Sequence, residues 1–134
     1  MKKSIKILFS LALVLPMMAF AMINNPNDAT NMNPVGDDIE AGKALFQAKA
    51  CFACHGMNAE GNALGPNMTD NFTKHGCSEE EIISVINKGV AGTAMVPYEA
   101  QLKPEEVKAL AKFIVSLKGS NPANAKAAEG EECK

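Results

Sequence analysis

Apolar residues recur with helical spacing in three stretches of the chain. In the first stretch, Ile39, Gly42 and Phe46 fall at positions i, i+3 and i+7. Residues with this spacing share one face of an α-helix, because the helix completes a turn about every 3.6 residues. The pattern therefore predicts a helix that runs from Asp38 to about Ala50.

The second stretch opens on a capping box. Ser78 is followed three residues later by Glu81, so each side chain can accept a hydrogen bond from a free backbone N–H group at the helix start. Four apolar residues come next, Ile82, Ile83, Val85 and Ile86, and Gly89 suits the turn that ends a helix. These signals predict a helix between Ser78 and Gly89.

The third stretch carries apolar residues at i, i+3, i+7 and i+10 between Val107 and Leu117. Pro104, followed by two glutamates, is typical of a first helical turn, and Gly119 is expected to end the helix. Lys103 occupies the N-cap position, where its side chain offers no acceptor to the first turn. We expect this residue to cost some stability there.

The remaining segments are polar. Residues 22–37, rich in Asn and Pro, predict a flexible leader, and residues 56–76, rich in Gly, Asn and Pro, predict a long loop. Residues 120–134 have little apolar surface to bury and predict a disordered tail. No segment shows a convincing strand pattern. The sequence thus predicts one all-α domain over residues 38–119, with three or more short helices and long loops.

The N terminus has the features of a signal peptide. Three lysines lie within the first six residues, an apolar run covers residues 7–15, and Ala19 and Ala21 form a small-residue cleavage site. We expect residues 1–21 to be removed on export. The alternative is an uncleaved membrane anchor over residues 7–23, a length at the lower limit for crossing a bilayer.

Composition and charge narrow the function classes. The chain has 134 residues, with 13 basic residues, all of them lysine, against 15 acidic ones. Loss of three lysines with the signal peptide would take the net charge from −2 to −5. This acidic balance and small size exclude a multidomain enzyme, a multi-span membrane protein and a dedicated nucleic-acid binder. Aromatic residues make up only 5% of the chain, fewer than a small core normally uses.

The chemistry is carried by a CxxCH motif formed by Cys51, Cys54 and His55. On a helical turn the two thiols share one face, where they can bond to the two vinyl groups of one haem, and the adjacent imidazole can ligate the iron. A thioredoxin-like CxxC would need a strand–helix context that is absent here. A zinc site formed by Cys51, Cys54, His75 and Cys77 is the remaining alternative.

Two residues compete for the sixth position on the haem iron. Met95 lies in an irregular stretch between two predicted helices, and its thioether would give a higher reduction potential than a second imidazole. His75 is the rival and would give bis-His ligation. We favour Met95. Pro66 lies in the Leu64–Asn67 turn, and either its carbonyl oxygen accepts the Nδ1–H of His55 or the segment is an ordinary turn.

These features together resemble a class I c-type cytochrome over residues 38–119. The resemblance rests on CFACH, LGPN, the loop that contains Met95 and the closing segment KPEEVKALAKFIVSLKG. It implies a class I cytochrome c fold wrapped around one covalently attached haem c, with Gly42 and Phe46 crossing the last helix near Phe113.

The same resemblance assigns the ligands of the iron. It implies axial ligation by His55 and Met95, together with a hydrogen bond from His55 to the carbonyl oxygen of Pro66. These roles are expectations that follow from the family and from the matching positions in this chain.

A narrower resemblance covers residues 65–107 and the tail segment SNPANAKAAEGE. Both resemble the haem domains of cytochrome c subunit III of C-family, high-affinity haem–copper oxidases. Those subunits usually carry two CxxCH motifs and a membrane anchor, whereas this chain has one motif. His75 matches a loop position of that subfamily, which favours a structural role for it.

Cys77 and Cys133 lie outside the CxxCH motif. In an oxidising compartment they could bond to each other and tie the tail to the domain, or they could remain free or pair between molecules. The sequence leaves these alternatives open.

The leading functional hypothesis is a periplasmic mono-haem electron carrier that is not itself an enzyme. Its donor would be a quinol-oxidising complex or a dehydrogenase, and its acceptor a terminal oxidase or reductase. The second hypothesis is a membrane-tethered haem subunit of a C-family oxidase. A zinc-binding module is the third. None of these involves nucleic acid.

Overall fold

The computed structural model describes residues 34–134. The predicted signal peptide, residues 1–21, and residues 22–33 of the predicted leader lie outside this range. The described chain contains four helices and two very short strands: α1 Pro34–Ala48, α2 Phe52–His55, β1 Phe72–Thr73, α3 Glu79–Lys88, α4 Pro104–Ser116 and β2 Glu131–Glu132. The prediction of a mostly helical fold is confirmed.

Helix α1 begins earlier than the sequence pattern indicates. The helix opens at Pro34, so residues 34–37, assigned to a flexible leader, belong instead to its first turn. Proline is well suited to this position because its φ angle is already close to helical and its missing N–H group has no partner to lose there. The apolar period alone did not reveal this turn.

Helices α1 and α4 cross at a glycine. A Cβ atom on Gly42 would collide with the backbone carbonyl of Ala109 and would lie 2.7 Å from the Cβ atom of Phe113. One turn further along, the rings of Phe46 and Phe113 meet edge to face with their centroids 5.6 Å apart. The crossing that the cytochrome resemblance implied is therefore confirmed.

The core lies between α1, α3 and α4. Ile82 and Ile86 of α3 are buried, as the predicted stripe requires. The other buried apolar side chains come from α1, the loop after the CxxCH motif, the segment before α4 and α4 itself: Phe46, Ala59, Leu102, Val107, Ala109, Leu110, Ala111 and Phe113. The apolar periodicity of these helices thus corresponds to helix faces that are buried in the structure.

The starts of α3 and α4 are each stabilised by a glutamate. At α3 the Glu81 carboxylate accepts hydrogen bonds from the backbone N–H of Ser78 at 3.0 Å, while Ser78 Oγ accepts from the Glu81 N–H at 3.2 Å. At α4 the Glu106 carboxylate accepts from the Lys103 N–H at 2.7 Å. The start of α4 therefore keeps the hydrogen bond to Glu106 and lacks only the one that an N-cap side chain would accept.

The C-terminal segment, residues 120–134, is ordered, and the prediction of a disordered tail is wrong. Strand β2 pairs antiparallel with β1, with Thr73 opposite Glu131. A disulfide joins Cys133 to Cys77, and the two Cα atoms lie 5.5 Å apart. The segment is polar, but backbone hydrogen bonds and a covalent bond order it in place of apolar burial. We call it the C-terminal strap.

Among residues 34–134, none of the helices has the length and apolar character needed to cross a membrane.

Candidate functional site

A cleft of about 340 Å³ opens between the helices and the long loops. Its size is that of a typical small-molecule site. Its apolar wall is formed by core residues from three helices and from the segment before α4: Phe46, Ile82, Val85, Ile86, Leu102, Leu110 and Ile114. Cys51, Cys54 and His55 of the CxxCH motif line the same cleft.

The CxxCH motif occupies a single turn that follows α1. Ala50 adopts a left-handed backbone conformation, with φ of 56°, and this reverses the chain just before the motif. The His55 N–H then donates to the carbonyl oxygen of Cys51 at 3.0 Å, closing one helical turn. Cys51 and Cys54 are both half-buried, unpaired thiols that line the cleft. Burial raises the pKa of Cys51, which keeps this thiol protonated at neutral pH.

His55 is held by a neighbouring loop. Its Nδ1 atom lies 3.3 Å from the carbonyl oxygen of Pro66, so the Nδ1–H tautomer donates there and Nε2 remains free to ligate a metal. Burial lowers the pKa of His55, and the Pro66 carbonyl partly opposes this shift. The neutral imidazole, which is the ligating form, is therefore favoured.

Gly65 allows this loop to approach the histidine. A Cβ atom at Gly65 would lie 2.5 Å from the carbonyl oxygen of Cys54 and 3.0 Å from His55 Nδ1. Any side chain there would push the loop away from the motif. The Leu64–Asn67 segment thus brings the Pro66 carbonyl to His55, and the role of this contact in holding an iron ligand stays a prediction.

Met95 and His75 both line the cleft, but in different settings. Met95 is half-buried against the core. Its loop is fixed because the Val90 N–H donates to the Met95 carbonyl at 2.8 Å and the Met95 N–H donates to Thr93 Oγ1 at 3.1 Å. His75 is exposed at the edge. The choice of Met95 as iron ligand stays a prediction, and this setting is consistent with it.

The zinc alternative does not fit the structure. Cys77 is bonded to Cys133 and cannot act as a thiolate ligand. Among residues 34–134 no three His, Cys, Asp or Glu side chains come together as a metal site. The donor set that remains is two neighbouring thiols, an adjacent neutral imidazole and a thioether in one apolar cleft. This set fits covalent haem attachment with axial ligation.

Sequence reasoning missed three contributors to the cleft. Tyr98 lines it, and burial raises the pKa of its hydroxyl group. Lys126 and Glu129 of the strap line it as well. Cys77 and Cys133 were the sequence feature that could have predicted the contribution of the strap, because a bond between them would place the tail beside the loop that precedes α3.

Comparison with known proteins shows which family the sequence resembles. The sequence profile of the family described as cytochrome c oxidase, cbb3-type, subunit III matches residues 37–114, which is more than half of the chain. The chain is 42% identical over 86 residues to the cbb3-type cytochrome c oxidase subunit FixP of Bradyrhizobium sp. (strain ORS 278). That match covers 63% of this chain but only 29% of the subunit.

Smaller cytochromes also match. The chain is 37% identical over 83 residues to cytochrome c-551 of Pseudomonas denitrificans, a match that covers 58% of this chain and 98% of that protein. Among solved structures, cytochrome CL from the marine methylotrophic bacterium Methylophaga aminisulfidivorans aligns with a TM-score of 0.54 and 30% identity. This alignment covers 60% of the chain and 55% of cytochrome CL.

These matches confirm three predictions: the resemblance to c-type cytochromes, the class I cytochrome c fold and covalently bound haem c as the cofactor. The chain therefore belongs to the cbb3-type cytochrome c oxidase subunit III family, whose cytochrome c domains carry covalent haem c and transfer electrons.

Proposed function

We propose that this chain is a periplasmic mono-haem carrier that passes single electrons between respiratory complexes, toward a terminal oxidase. The observation that carries the proposal is the convergence of Cys51, Cys54, His55 and Met95 on one apolar cleft. No second CxxCH motif occurs in the sequence, so we assign one haem to the chain.

Each residue has a distinct role in this proposal. The thiols of Cys51 and Cys54 would form the two thioether bonds, and His55 would ligate the iron through Nε2. The Pro66 carbonyl holds the Nδ1–H of His55, which fixes the ring and makes the ligating nitrogen more basic. Met95 would supply the sixth ligand. When bound, the haem provides one-electron Fe(II)/Fe(III) chemistry.

Ligation of the iron by both His55 and Met95 would favour a carrier over an enzyme, because it would leave the iron no position for a substrate. The apolar residues that line the cleft would surround the haem with groups that need little rearrangement when its charge changes. Leu64, 70% exposed beside the cleft, offers an apolar contact for a small, transient interface with a redox partner.

The partner of such a carrier should present a basic face. With residues 1–21 removed, the net charge is about −5, and complementary charge speeds the encounter of two proteins. The acceptor we propose is a terminal oxidase, in line with the cbb3-type oxidase subunits among the relatives. The donor would be a quinol-oxidising complex or a dehydrogenase.

The second candidate is a membrane-tethered subunit of a C-family oxidase. The 42% identity with a FixP subunit favours it, although this match spans only 29% of that subunit. The match to cytochrome c-551 spans 98% of that protein and favours a free carrier. N-terminal sequencing of protein recovered from membrane and periplasmic fractions separates the two. A chain that starts after Ala21 in the periplasmic fraction supports the carrier, and one that retains residues 1–21 in the membrane supports the subunit.

A reduced-minus-oxidised visible spectrum tests the core of the proposal. We expect the α-band of haem c, and a colourless protein would overturn the proposal. For the sixth ligand, Met95→Ala should abolish the weak long-wavelength band of Met-ligated ferric haem, whereas His75→Ala and the exposed control Met57→Ala should retain it. Loss of the band in His75→Ala with retention in Met95→Ala would reverse the assignment.

A further inference from the structure

The C-terminal strap is attached to the loops around the cleft at several separate points. Directly before it, the Gly119 N–H donates to the carbonyl oxygen of Thr69 at 2.6 Å. At its end, the Cys133 N–H donates to the carbonyl oxygen of Asn71 at 2.7 Å, next to the disulfide with Cys77. The middle attachment, at Lys126, contacts the loop that carries Pro66.

Lys126 contacts three residues of that loop. Its N–H donates to the Glu60 carbonyl at 2.8 Å, and its carbonyl accepts from Asn67 Nδ2 at 3.0 Å. Its ammonium group lies 3.4 Å from the Gly65 carbonyl, which is long for a hydrogen bond. The two short contacts use the backbone of Lys126, so they depend on where the strap runs more than on the lysine side chain.

Asn67 connects this attachment to the rest of the site. The residue is only 7% exposed. Its amide nitrogen donates to the Lys126 carbonyl and, at 2.8 Å, to Asp70 Oδ2. Its amide oxygen accepts from the backbone N–H and the hydroxyl of Thr69, at 2.9 and 2.7 Å. All four hydrogen-bonding positions of the side chain are used, so the residue directly after Pro66 is fixed.

We propose that Lys126 is a positioning residue of the haem site: through its backbone it holds the 60–67 loop so that the Pro66 carbonyl stays on His55. This inference deepens the proposed function and rests on it. The chain of contacts runs from the Lys126 N–H and carbonyl to Glu60 and Asn67. It then reaches the Pro66 carbonyl and His55 Nδ1.

The disulfide keeps this attachment in place. It fixes the end of the strap seven residues beyond Lys126. The Lys118 ammonium group lies beside the disulfide: it donates to the Cys77 carbonyl at 3.0 Å and lies 3.2 Å from Cys133 Sγ. Strand pairing between β1 and β2 adds only a two-residue ladder. Without the covalent bond, this polar segment has little buried apolar surface to keep it on the loop.

The test uses hydrogen exchange of the His55 ring proton in the reduced, haem-loaded protein, followed by NMR. Lys126→Pro removes the N–H that donates to Glu60, and we expect the His55 Nδ1 proton to exchange about tenfold faster. Lys126→Ala keeps the backbone contacts and should stay within about threefold of the unmodified protein.

A matched control lies in the same strap. Ala123→Pro also introduces a proline, at the second position of the turn closed by the Ala125 N–H to the Pro122 carbonyl, where proline is well tolerated. It removes none of the contacts to the 60–67 loop and should leave His55 exchange unchanged. The double variant Cys77→Ser/Cys133→Ser provides a second route, and we expect it to accelerate exchange as Lys126→Pro does.

The outcomes separate this inference from the proposed function. A merely structural strap would lower the thermal midpoint of the variants but leave His55 exchange at the rate of the unmodified protein, and that result overturns the positioning role. If Lys126→Pro fails to fold, the double serine variant decides by the same measurement. An unmodified protein without a haem c spectrum would instead overturn the proposed function itself.

Discussion

The helical half of the molecule and the loop-and-strap half are ordered by different physics. In the α1–α4 crossing, apolar side chains such as Phe46, Val107 and Phe113 are almost fully buried and hold two helices together. In the strap no large apolar side chain is buried, and its order comes from backbone hydrogen bonds and one disulfide. The comparison shows that a polar segment can help to line a site when a disulfide and backbone hydrogen bonds order it in place of apolar burial.

The cleft lies where the two halves meet. Its lining combines apolar residues of the helical core with residues of the CxxCH turn, the Pro66 loop and the strap. Breaking either half should therefore affect the bound haem, but in different ways. Loss of a contact in the helical half should lower stability alone, whereas loss of the strap should lower stability and also loosen the hold on His55.

The largest effect is expected from loss of the attachment thiols. Cys51→Ser/Cys54→Ser removes both proposed thioether bonds, and a small domain with few aromatic side chains should then fail to fold stably. We expect no haem stain on a denaturing gel and a far-ultraviolet dichroism spectrum without helix. Cys77→Ser/Cys133→Ser is the matched control and should retain the stain. Helical, folded protein without covalent haem would contradict this prediction.

The next effect concerns the strap alone. The Cys77–Cys133 bond closes a loop with a sequence separation of 56 residues. By loop entropy its removal should lower the free energy of unfolding by about 4 kcal/mol. Denaturant unfolding of Cys77→Ser/Cys133→Ser, followed by the haem absorbance, measures this loss. A difference below about 1 kcal/mol would show that the strap does not depend on its covalent bond.

A somewhat smaller loss is expected at the helix crossing. In Gly42→Ala the added Cβ atom meets the Ala109 carbonyl and the Phe113 Cβ, so the helices must separate, at a cost of about 3 kcal/mol. Gly92→Ala is the control: its φ of 77° strains a side chain, but nothing lies within 4 Å of the added atom. That strain should cost about 1 kcal/mol. Equal thermal midpoints for the two variants would refute the role of close packing at Gly42.

The smallest effect tests the start of α3, where the strap's disulfide meets the helical half. The backbone N–H of Ser78, then that of Cys77 and the Ser78 hydroxyl, lower the pKa of Glu81. A carboxyl group whose pKa is lower in the folded chain stabilises the fold above its unfolded pKa, and this contribution is lost as the pH falls through the folded value. Glu81→Gln should therefore be destabilised at neutral pH, by an amount that shrinks in acid.

Urea midpoints at a series of pH values measure this difference. Glu80→Gln is the matched control, because Glu80 lies in the same first turn without the hydrogen bonds that Glu81 accepts from Ser78 and Cys77. A Glu81→Gln deficit that stays constant from neutral to acid pH would contradict the assignment.

The helices were predictable because their signals are local. Of the predicted α4 stripe, Val107 and Leu110 are buried and Ile114 and Leu117 are half-buried, and the predicted capping box of Ser78 and Glu81 forms. The start of α1 at Pro34 was missed because residues 34–37, with the sequence PVGD, show no apolar period. The order of the strap was missed because composition indicates only how much apolar surface a segment can bury. The strap is ordered instead by backbone hydrogen bonds and the Cys77–Cys133 disulfide.

The sequence by itself determined the attachment turn. Cys51, Cys54 and His55 lie within one helical turn, so their mutual arrangement follows from local backbone geometry and needs no other part of the chain. Only the tertiary structure decided what surrounds them. Met95 lies 40 residues beyond His55 and Lys126 lies 71 beyond it, and no periodicity connects such distant positions. They meet at the cleft because the packing of α1, α3 and α4 and the Cys77–Cys133 bond fix the paths of the loops between them.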